Sequence, residues 1–174
     1  MKKLTYIFVF FLLTSLFSSC KTQQPTSSQE ANEITTYILV RHAEKVKGVK
    51  DPDLTKEGLE RAESLAYLLR DVELAAIYSS DYKRTQQTAL PTSEAKKIKT
   101  QSYDPRNLED LMAEVSEKYV GKTVLIVGHS NTTPALAKLL TGTNYISFDE
   151  SIYDNFFIVN VVKKGNAKAF LLTY

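Results

Sequence analysis

The sequence predicts a single-domain α/β fold of three layers, with a mostly parallel sheet flanked by helices and a C-terminal antiparallel hairpin. Two apolar runs, at 37–40 and 124–127, have no polar interruption, as is typical of strands covered on both faces. Segments with helical spacing separate the strands, which indicates parallel pairing through right-handed crossovers. The last apolar stretches, 156–162 and 167–174, flank Lys164-Gly165-Asn166, a composition that predicts a hairpin turn.

Four strands alternate with four helices before this hairpin. The first helix is well marked, because Thr55 is a good N-cap, Glu57 lies in the first turn and apolar residues recur at helical spacing as far as Leu69. Asp104-Pro105 ends the third strand. The predicted elements are a strand over 37–40, a helix from Thr55, a strand over 75–78, a helix capped by Asp81, a strand over 98–103, a helix from Asn107, a strand over 123–127 and a helix through 136–140.

Length and charge limit the class of protein. A chain of 174 residues indicates one domain, since domains typically contain ~100–200 residues. The chain has 22 Lys and Arg against 20 Asp and Glu, and Lys2 and Lys3 belong to a segment that we expect to be removed. A chain with so little excess basic charge argues against a nucleic-acid partner, which needs a concentrated basic face.

The N-terminus has the pattern of a targeting signal. Two lysines precede an apolar run at 4–17 and small residues at 18–19. The run of 14 residues is shorter than the ~20 that a spanning helix needs. Cys20 is the single cysteine and so has no disulfide partner within the chain, and its place after Phe-Ser-Ser resembles a bacterial lipobox. An ordinary secretory signal and a short membrane anchor are the alternatives.

We therefore predict cleavage before Cys20 and attachment of lipid to its thiol. This divides the chain into a lipoprotein signal peptide at 1–19, a flexible tether at 20–34 and a folded domain at 35–174. The tether is rich in Gln, Ser and Thr and nearly free of apolar residues, so it cannot bury enough surface to order itself. The expected location is the bacterial cell envelope, in the periplasm or at the outer membrane.

Charged and titratable residues follow the ends of the predicted strands. The two histidines of the chain, His42 and His129, each end a buried strand, and Arg41, Arg84 and Asp104 also lie at or just beyond strand ends. In open α/β folds ligands collect at this edge of the sheet, so we expect the histidines to face one another across an anion site. A neutral imidazole can attack phosphorus, arginines bind phosphate oxygens and a carboxylic acid protonates the leaving group.

Four segments resemble, in order, the motifs of the histidine phosphatase (phosphoglycerate mutase-like) superfamily. They are Arg41-His42-Ala43-Glu44, Asp53-Leu54-Thr55-Lys56-Glu57-Gly58, the stretch 79–89 that carries an arginine, and Gly128-His129-Ser130. The similarity covers roughly 36–174 and includes nearly the whole predicted domain. Ala43 stands where the family has glycine, and the long insertions of larger members are absent.

The resemblance implies roles for individual residues. His42 would be the phosphorylated nucleophile. Three side chains would bind the phosphoryl group: Arg41, Arg84 and His129. Asp104 would be the general acid, with Glu109 on the following helix as the alternative, although some small relatives lack this acid. The resemblance implies no cofactor and no metal.

The predicted function is hydrolysis of phosphomonoesters, or of phosphohistidine in a phosphoprotein, by a metal-independent phosphatase. A phosphoglycerate mutase-type activity is less favoured, because it must retain an intermediate in a closed site. A lipoprotein that binds phosphate or a phosphoglycan without turnover is the non-enzymatic alternative. A metal hydrolase is disfavoured, because two guanidinium groups would oppose metal binding and no His-x-x-x-His or His-x-Asp spacing occurs.

Replacing Cys20 with Ser should release the protein from the membrane and leave its specific activity unchanged, because the predicted tether precedes the folded domain. Fractionation of cells into soluble and membrane pools, followed by an activity assay of each pool, measures both quantities. A folded Cys20→Ser protein without activity would contradict the assignment of this cysteine to a lipid anchor.

Overall fold

The computed structural model describes residues 33–163 and 166–174, in which six strands and four helices form one sheet with helices on both faces. In chain order the elements are β1 (Thr35–Arg41), α1 (Lys56–Leu68), β2 (Ala76–Ser80), α2 (Lys83–Lys96), β3 (Gln101–Tyr103), α3 (Leu108–Lys118), β4 (Thr123–Gly128), α4 (Thr132–Thr141), β5 (Asn155–Lys163) and β6 (Asn166–Thr173).

The strand order is β3-β2-β4-β1-β5-β6. Strands β1 to β4 pair in parallel, whereas β5 runs antiparallel to β1 and β6 antiparallel to β5. The predicted fold class, a mostly parallel sheet with a C-terminal antiparallel hairpin, is therefore confirmed.

The alternation of side chains along the central strands separates two hydrophobic cores. Tyr37 and Leu39 of β1 face the core built with α3 and α4, whereas Ile38 and Val40 face the core built with α1 and α2. Because both faces of β1 are buried, its apolar run has no polar residue before Arg41.

Strand register brings the two histidines together. Strands β1 and β4 are neighbours, and Arg41 lies opposite Gly128. The backbone N–H of His42 then donates to the Gly128 carbonyl, 2.9 Å away. Parallel strands in register end at the same edge of the sheet, so His42 and His129 leave that edge side by side.

Two details of the predicted elements are wrong. Asp81 does not cap α2, since the helix begins at Lys83 and the Asp81 carboxylate accepts a hydrogen bond from the Gln86 side chain. Strand β3 contains only Gln101–Tyr103, and Ile98 packs against the core of α1 and α2 instead.

The predicted signal peptide at 1–19, Cys20 and most of the tether lie outside the described residues. Within residues 33–163 and 166–174, no helix has the length and apolar character needed to cross a membrane.

Gly58 in the first turn of α1 packs directly against the backbone after β1. The Glu44 carbonyl accepts a hydrogen bond from Thr55 N at 2.9 Å, and Thr55 caps the helix by accepting from Gly58 N at 3.2 Å. A Cβ at position 58 would overlap the Glu44 carbonyl oxygen. The glycine of the Leu-Thr-x-x-Gly segment is thus required by close packing of α1 beside the first histidine.

Gly58→Ala should lower the free energy of unfolding by about 1–3 kcal/mol, because the backbone must shift to admit the methyl group. At an unobstructed helix position the same change would stabilise the protein by up to about 1 kcal/mol. Urea unfolding of Gly58→Ala and of the exposed control Ser64→Ala measures the difference. Stabilisation by Gly58→Ala would contradict the close packing.

Candidate active site

His42 is buried at the end of β1 and has one nitrogen available for chemistry. Its side chain is 3 % exposed, and Nδ1 lies 2.8 Å from the Ala43 carbonyl oxygen. A carbonyl can only accept, so Nδ1 carries the proton and the lone pair is on Nε2. Burial is the main reason that the pKa of His42 falls to about 3. The hydrogen bond to Ala43 raises this pKa, and the charges of Arg41 and Arg84 lower it. His42 is therefore a neutral imidazole at pH 7.

His129 is held by a chain of hydrogen bonds with one defined direction. Arg84 Nη2 lies 3.4 Å from His129 Nδ1, and since a guanidinium only donates, Nδ1 is the acceptor. The proton is then on Nε2, which lies 2.9 Å from Ser80 Oγ. Ser80 donates to Thr85 Oγ1 at 3.1 Å, and Thr85 donates to the Ser80 carbonyl. Burial and the Arg84 charge lower the pKa of His129 to about 4.

The histidine rings form the centre of an aromatic and cationic cluster. Their centroids are 5.6 Å apart. Tyr153 lies 6.0 Å from the His42 ring and Tyr82 lies 5.2 Å from the His129 ring. The guanidinium of Arg41 stacks on Tyr153, and that of Arg84 stacks on Tyr82.

Arg41 is fully buried, and its terminal nitrogens are bound by the segment before β5. Nη1 donates to the Asp149 and Ile152 carbonyls at 2.7 and 2.5 Å. Nη2 donates to the Glu150 carbonyl and to Glu150 Oε2, each at 3.2 Å. These contacts occupy all four terminal N–H groups of Arg41. The Nε–H of Arg41 is therefore the donor of this group that is left for a ligand.

The Nε groups of Arg41 and Arg84 are both buried and have no hydrogen-bond partner among the described residues. Buried donors are rarely left unpaired, because the lost hydration is costly. Two unpaired guanidinium N–H groups beside two neutral histidines indicate that this edge of the sheet is built for an anion.

Ala43 and Thr88 link the two halves of the site. Ala43 N donates to Thr88 Oγ1 at 3.0 Å, and Thr88 Oγ1 donates to the Arg84 carbonyl at 2.7 Å. Ala43 has a negative φ, since Asp51 and Lys97 are the non-glycine residues with positive φ in the described part of the chain. Alanine therefore occupies the glycine position of the motif that this segment resembles without backbone strain.

Glu44 makes an ion pair that sequence reasoning did not predict. Arg61 of α1 donates from Nε and Nη2 to the Glu44 carboxylate at 2.7–3.0 Å, and from Nη1 to the Tyr174 backbone oxygen. Burial raises the pKa of Glu44, but the bonds from Arg61 hold it below its ordinary value. The pair fixes the chain just after His42.

The two candidate acids lie away from His42. Asp104 is in a surface cleft of about 490 Å³ with Tyr82 and Arg106. Arg106 donates from Nε and Nη2 to the Asp104 carboxylate, which lowers the pKa of Asp104 to about 2. Glu109 lines a groove of about 210 Å³ between α3 and α4 with Met112. The structure brings neither carboxylate into contact with a histidine, and it holds Asp104 in the ionised form.

Sequence reasoning also missed the segment 149–153. It contacts Arg41 through three carbonyls, the Glu150 carboxylate and Tyr153. It has no helical or strand periodicity, and 108 residues separate Arg41 from Asp149. The available signal was the buried arginine itself, whose donors had to be satisfied by some other part of the chain.

No group of three or more His, Cys, Asp or Glu side chains is arranged to hold a metal ion anywhere in residues 33–163 and 166–174. The two histidine rings have arginine neighbours, which disfavour a bound cation.

The fold and this edge of the sheet define an α/β protein whose candidate site is built on two histidines and two arginines. Residues 37–106 match the model of the histidine phosphatase superfamily (branch 1). The protein histidine phosphatase SixA, solved in complex with tungstate, has the same fold with a TM-score of 0.64 and 17% identity, over 79% of this chain and 96% of that one. The chain thus matches this family over residues 37–106 and has the fold of SixA.

Curated relatives match over part of their length. Phosphoserine phosphatase 1 of Hydrogenobacter thermophilus is 41% identical over an alignment of 97 residues, and the match covers 47% of this chain and 46% of that protein. The metal-independent phosphoserine phosphatase of Arabidopsis thaliana is 37% identical over an alignment of 67 residues, and the match covers 34% of this chain and 28% of that protein. The chain thus spans less than half the length of these relatives.

The depressed histidine pKa values predict that stability falls as the pH is lowered from about 6.5 towards 4. Both histidines have an ordinary pKa of 6.5 when exposed, against about 3 and about 4 in the fold. In this window the unfolded chain binds protons that the folded chain does not. Each histidine then lowers the unfolding free energy by up to about 1.4 kcal/mol per pH unit.

Urea unfolding at pH 7, 6 and 5 measures this slope. His42→Asn and His129→Asn should each reduce it, whatever their effect on stability at pH 7, because the chain has no other histidine. An unchanged slope in the double variant would show that other groups bind the protons.

Proposed function

We propose that the protein is a metal-independent phosphatase that hydrolyses phosphomonoesters through a phosphohistidine formed on His42. The observation that carries the proposal is the state of the His42 ring. It is neutral, its Nδ1–H is bound to the Ala43 carbonyl, and the ring is close enough to the buried Arg41 and the half-buried Arg84 for both charges to lower its pKa. A fixed, neutral nucleophile next to fixed positive charge meets the requirement of phosphoryl transfer for positioning and charge stabilisation.

In the first step, His42 Nε2 attacks phosphorus, the Nε2–P bond forms and the bond from phosphorus to the leaving oxygen breaks. The proton on Nδ1 stays with the ring, and the Ala43 carbonyl stabilises the charge that develops there. The unpaired Nε–H groups of Arg41 and Arg84 are available to phosphoryl oxygens. They offset negative charge in a buried setting, where each such interaction is stronger than in water.

In the second step, water attacks phosphorus, the Nε2–P bond breaks, and phosphate and neutral His42 are released. His129 supports both steps without bonding to phosphorus. Its Nδ1 accepts from Arg84 and its Nε2 donates to Ser80, so it fixes the orientation of the Arg84 guanidinium. Arg84 is then a pre-positioned charge, which reduces the reorganisation needed in the transition state.

The curated relatives support a small phosphomonoester as substrate. Two of them are named phosphoserine phosphatases, one of them metal-independent. The family match, which extends from 37 to 106, includes both His42 and Arg84. We propose further that Cys20 tethers this activity to a membrane of the cell envelope.

When the enzyme is quenched during turnover of a ³²P-labelled phosphomonoester, we expect the protein to carry a label that is stable in base and lost in acid. A phosphoramidate has that stability, whereas a serine ester survives acid. His42→Asn should lose the label and the activity together. His129→Asn should slow labelling but still permit it at His42, because His129 makes no bond to phosphorus. All assays contain excess chelator, so that retained activity also tests metal independence.

Thermal stabilisation by inorganic phosphate separates loss of chemistry from loss of folding. A folded His42→Asn protein should still be stabilised by phosphate through the two arginines. Label on a residue other than His42, or full turnover in His42→Asn, would overturn the proposal. Phosphate binding by the wild-type protein without any label or turnover would instead support a non-catalytic phosphate-binding protein.

A further inference from the structure

We infer that Glu150 is the general acid–base residue of the reaction, protonating the leaving oxygen in the first step and accepting a proton from water in the second. This inference rests on the proposed function and assigns a role that neither Asp104 nor Glu109 fills. The geometry of one carboxylate and the segment that holds it carries the argument.

The Glu150 carboxylate lies between residues adjacent to both histidines. Its Oε1 accepts a hydrogen bond from Ser130 Oγ at 2.5 Å, and Ser130 directly follows His129. Its Oε2 accepts from Arg41 Nη2 at 3.2 Å, and Arg41 directly precedes His42. With the two imidazole centroids 5.6 Å apart, this carboxylate is at the mouth of the same site.

The segment that carries Glu150 is fixed on several sides. Three of its carbonyls accept from the buried Arg41 guanidinium, and Tyr153 stacks on the same group at 4.2 Å. Phe148 N donates to the Ser130 carbonyl at 2.9 Å. The carboxylate is thus held at a defined position, as proton transfer in a transition state requires.

Glu150 is also open to solvent. Its side chain is 71% exposed, whereas that of its partner Arg41 is 0% exposed. A general acid must regain its proton between turnovers, and a residue at the mouth can exchange with water directly. The leaving group must depart through the same opening, because His42 closes the inner end of the site with 3 % exposure.

The other carboxylates near the site accept hydrogen bonds from groups that do not adjoin both histidines. Glu44 is bound in a two-point ion pair by Arg61, and Asp104 is bound likewise by Arg106. Asp51 accepts from the backbone N–H of Lys83 at the start of α2 and pairs with Arg84 Nη1 at 3.7 Å. Glu150 is the described carboxylate that hydrogen-bonds to residues next to both histidines.

Glu150 gives up one proton in the first step of the reaction and regains one in the second step. As His42 Nε2 bonds to phosphorus, the P–O bond to the leaving group breaks and the Glu150 proton passes to that oxygen. The carboxylate then accepts a proton from water as the water oxygen bonds to phosphorus and the Nε2–P bond breaks, which restores the acid. Ser130 and Arg41 hold the pKa of free Glu150 below its usual value, whereas a bound phosphate dianion raises it by repulsion.

A leaving-group series tests the inference. Glu150→Gln keeps the size of the side chain but cannot transfer the proton. For an alkyl phosphate, which needs a protonated leaving oxygen, kcat/KM should fall by about 10²- to 10⁴-fold. For p-nitrophenyl phosphate, kcat/KM should stay within about threefold, because nitrophenolate leaves without a proton. A burst of nitrophenolate should appear as attack by water becomes the slower step.

Three further variants complete the test. Glu150→Asp should recover part of the alkyl phosphate activity, which a merely structural role would not predict. Glu117→Gln makes the same chemical change at an exposed position of α3 and should match the wild type. Asp104→Asn should show no dependence on the leaving group. Thermal unfolding of each variant confirms that it is folded.

Several results would overturn the role of Glu150. These are equal losses of kcat/KM on both substrates, unchanged kcat/KM on both, faster turnover in Glu150→Gln, or leaving-group dependence in Asp104→Asn instead. In each of these cases a label on His42 of the wild-type enzyme would leave the proposed function intact. Absence of that label and of turnover would instead count against the proposed function itself.

Discussion

The arrangement of the site depends on the burial of the Arg41 guanidinium at the carboxyl end of β1. A cation cannot be removed from water unless its donors are satisfied, and four of the five N–H groups of Arg41 bond to residues 149–152. This requirement determines where the segment between α4 and β5 must lie. It therefore also determines the positions of Glu150 and Tyr153, which have no strand or helix of their own.

Burial of the two histidines at the same edge of the sheet sets their charge state. Desolvation is the main reason that the pKa values of His42 and His129 fall to about 3 and about 4, and the charges of Arg41 and Arg84 lower both further. Imidazolium would add positive charge where two guanidinium groups already lie, so the rings stay neutral. In the proposed reaction, arginine supplies permanent charge to the phosphoryl group and His42 supplies the lone pair that attacks it, so no single residue has to do both.

Much of this site could be predicted from the sequence, because parallel strands end at one edge of a sheet. Two buried runs that end in His42 and His129 predict that the two side chains lie near one another. The structure has this arrangement, because Arg41 pairs with Gly128 in the parallel register of β1 and β4. Asp104 was placed correctly after β3, but its ion pair with Arg106 depends on local side-chain geometry. Glu150 could not be predicted, because no periodic pattern in the sequence connects it to β1. The connection is made by the buried Arg41 guanidinium, which donates hydrogen bonds to Glu150.

In the proposed mechanism, Arg41 couples phosphate binding to the protonation of Glu150. Its Nη2 is bound to the Glu150 carboxylate, and its unpaired Nε belongs to the same planar group. A phosphate dianion bound at Nε partly neutralises the Arg41 charge that otherwise stabilises ionised Glu150. The dianion also repels the Glu150 carboxylate directly. Both effects favour protonation of Glu150, so the acid gains its proton when a phosphate group is bound. When the leaving group departs and negative charge at phosphorus falls, the carboxylate is again the stable form, as attack by water requires.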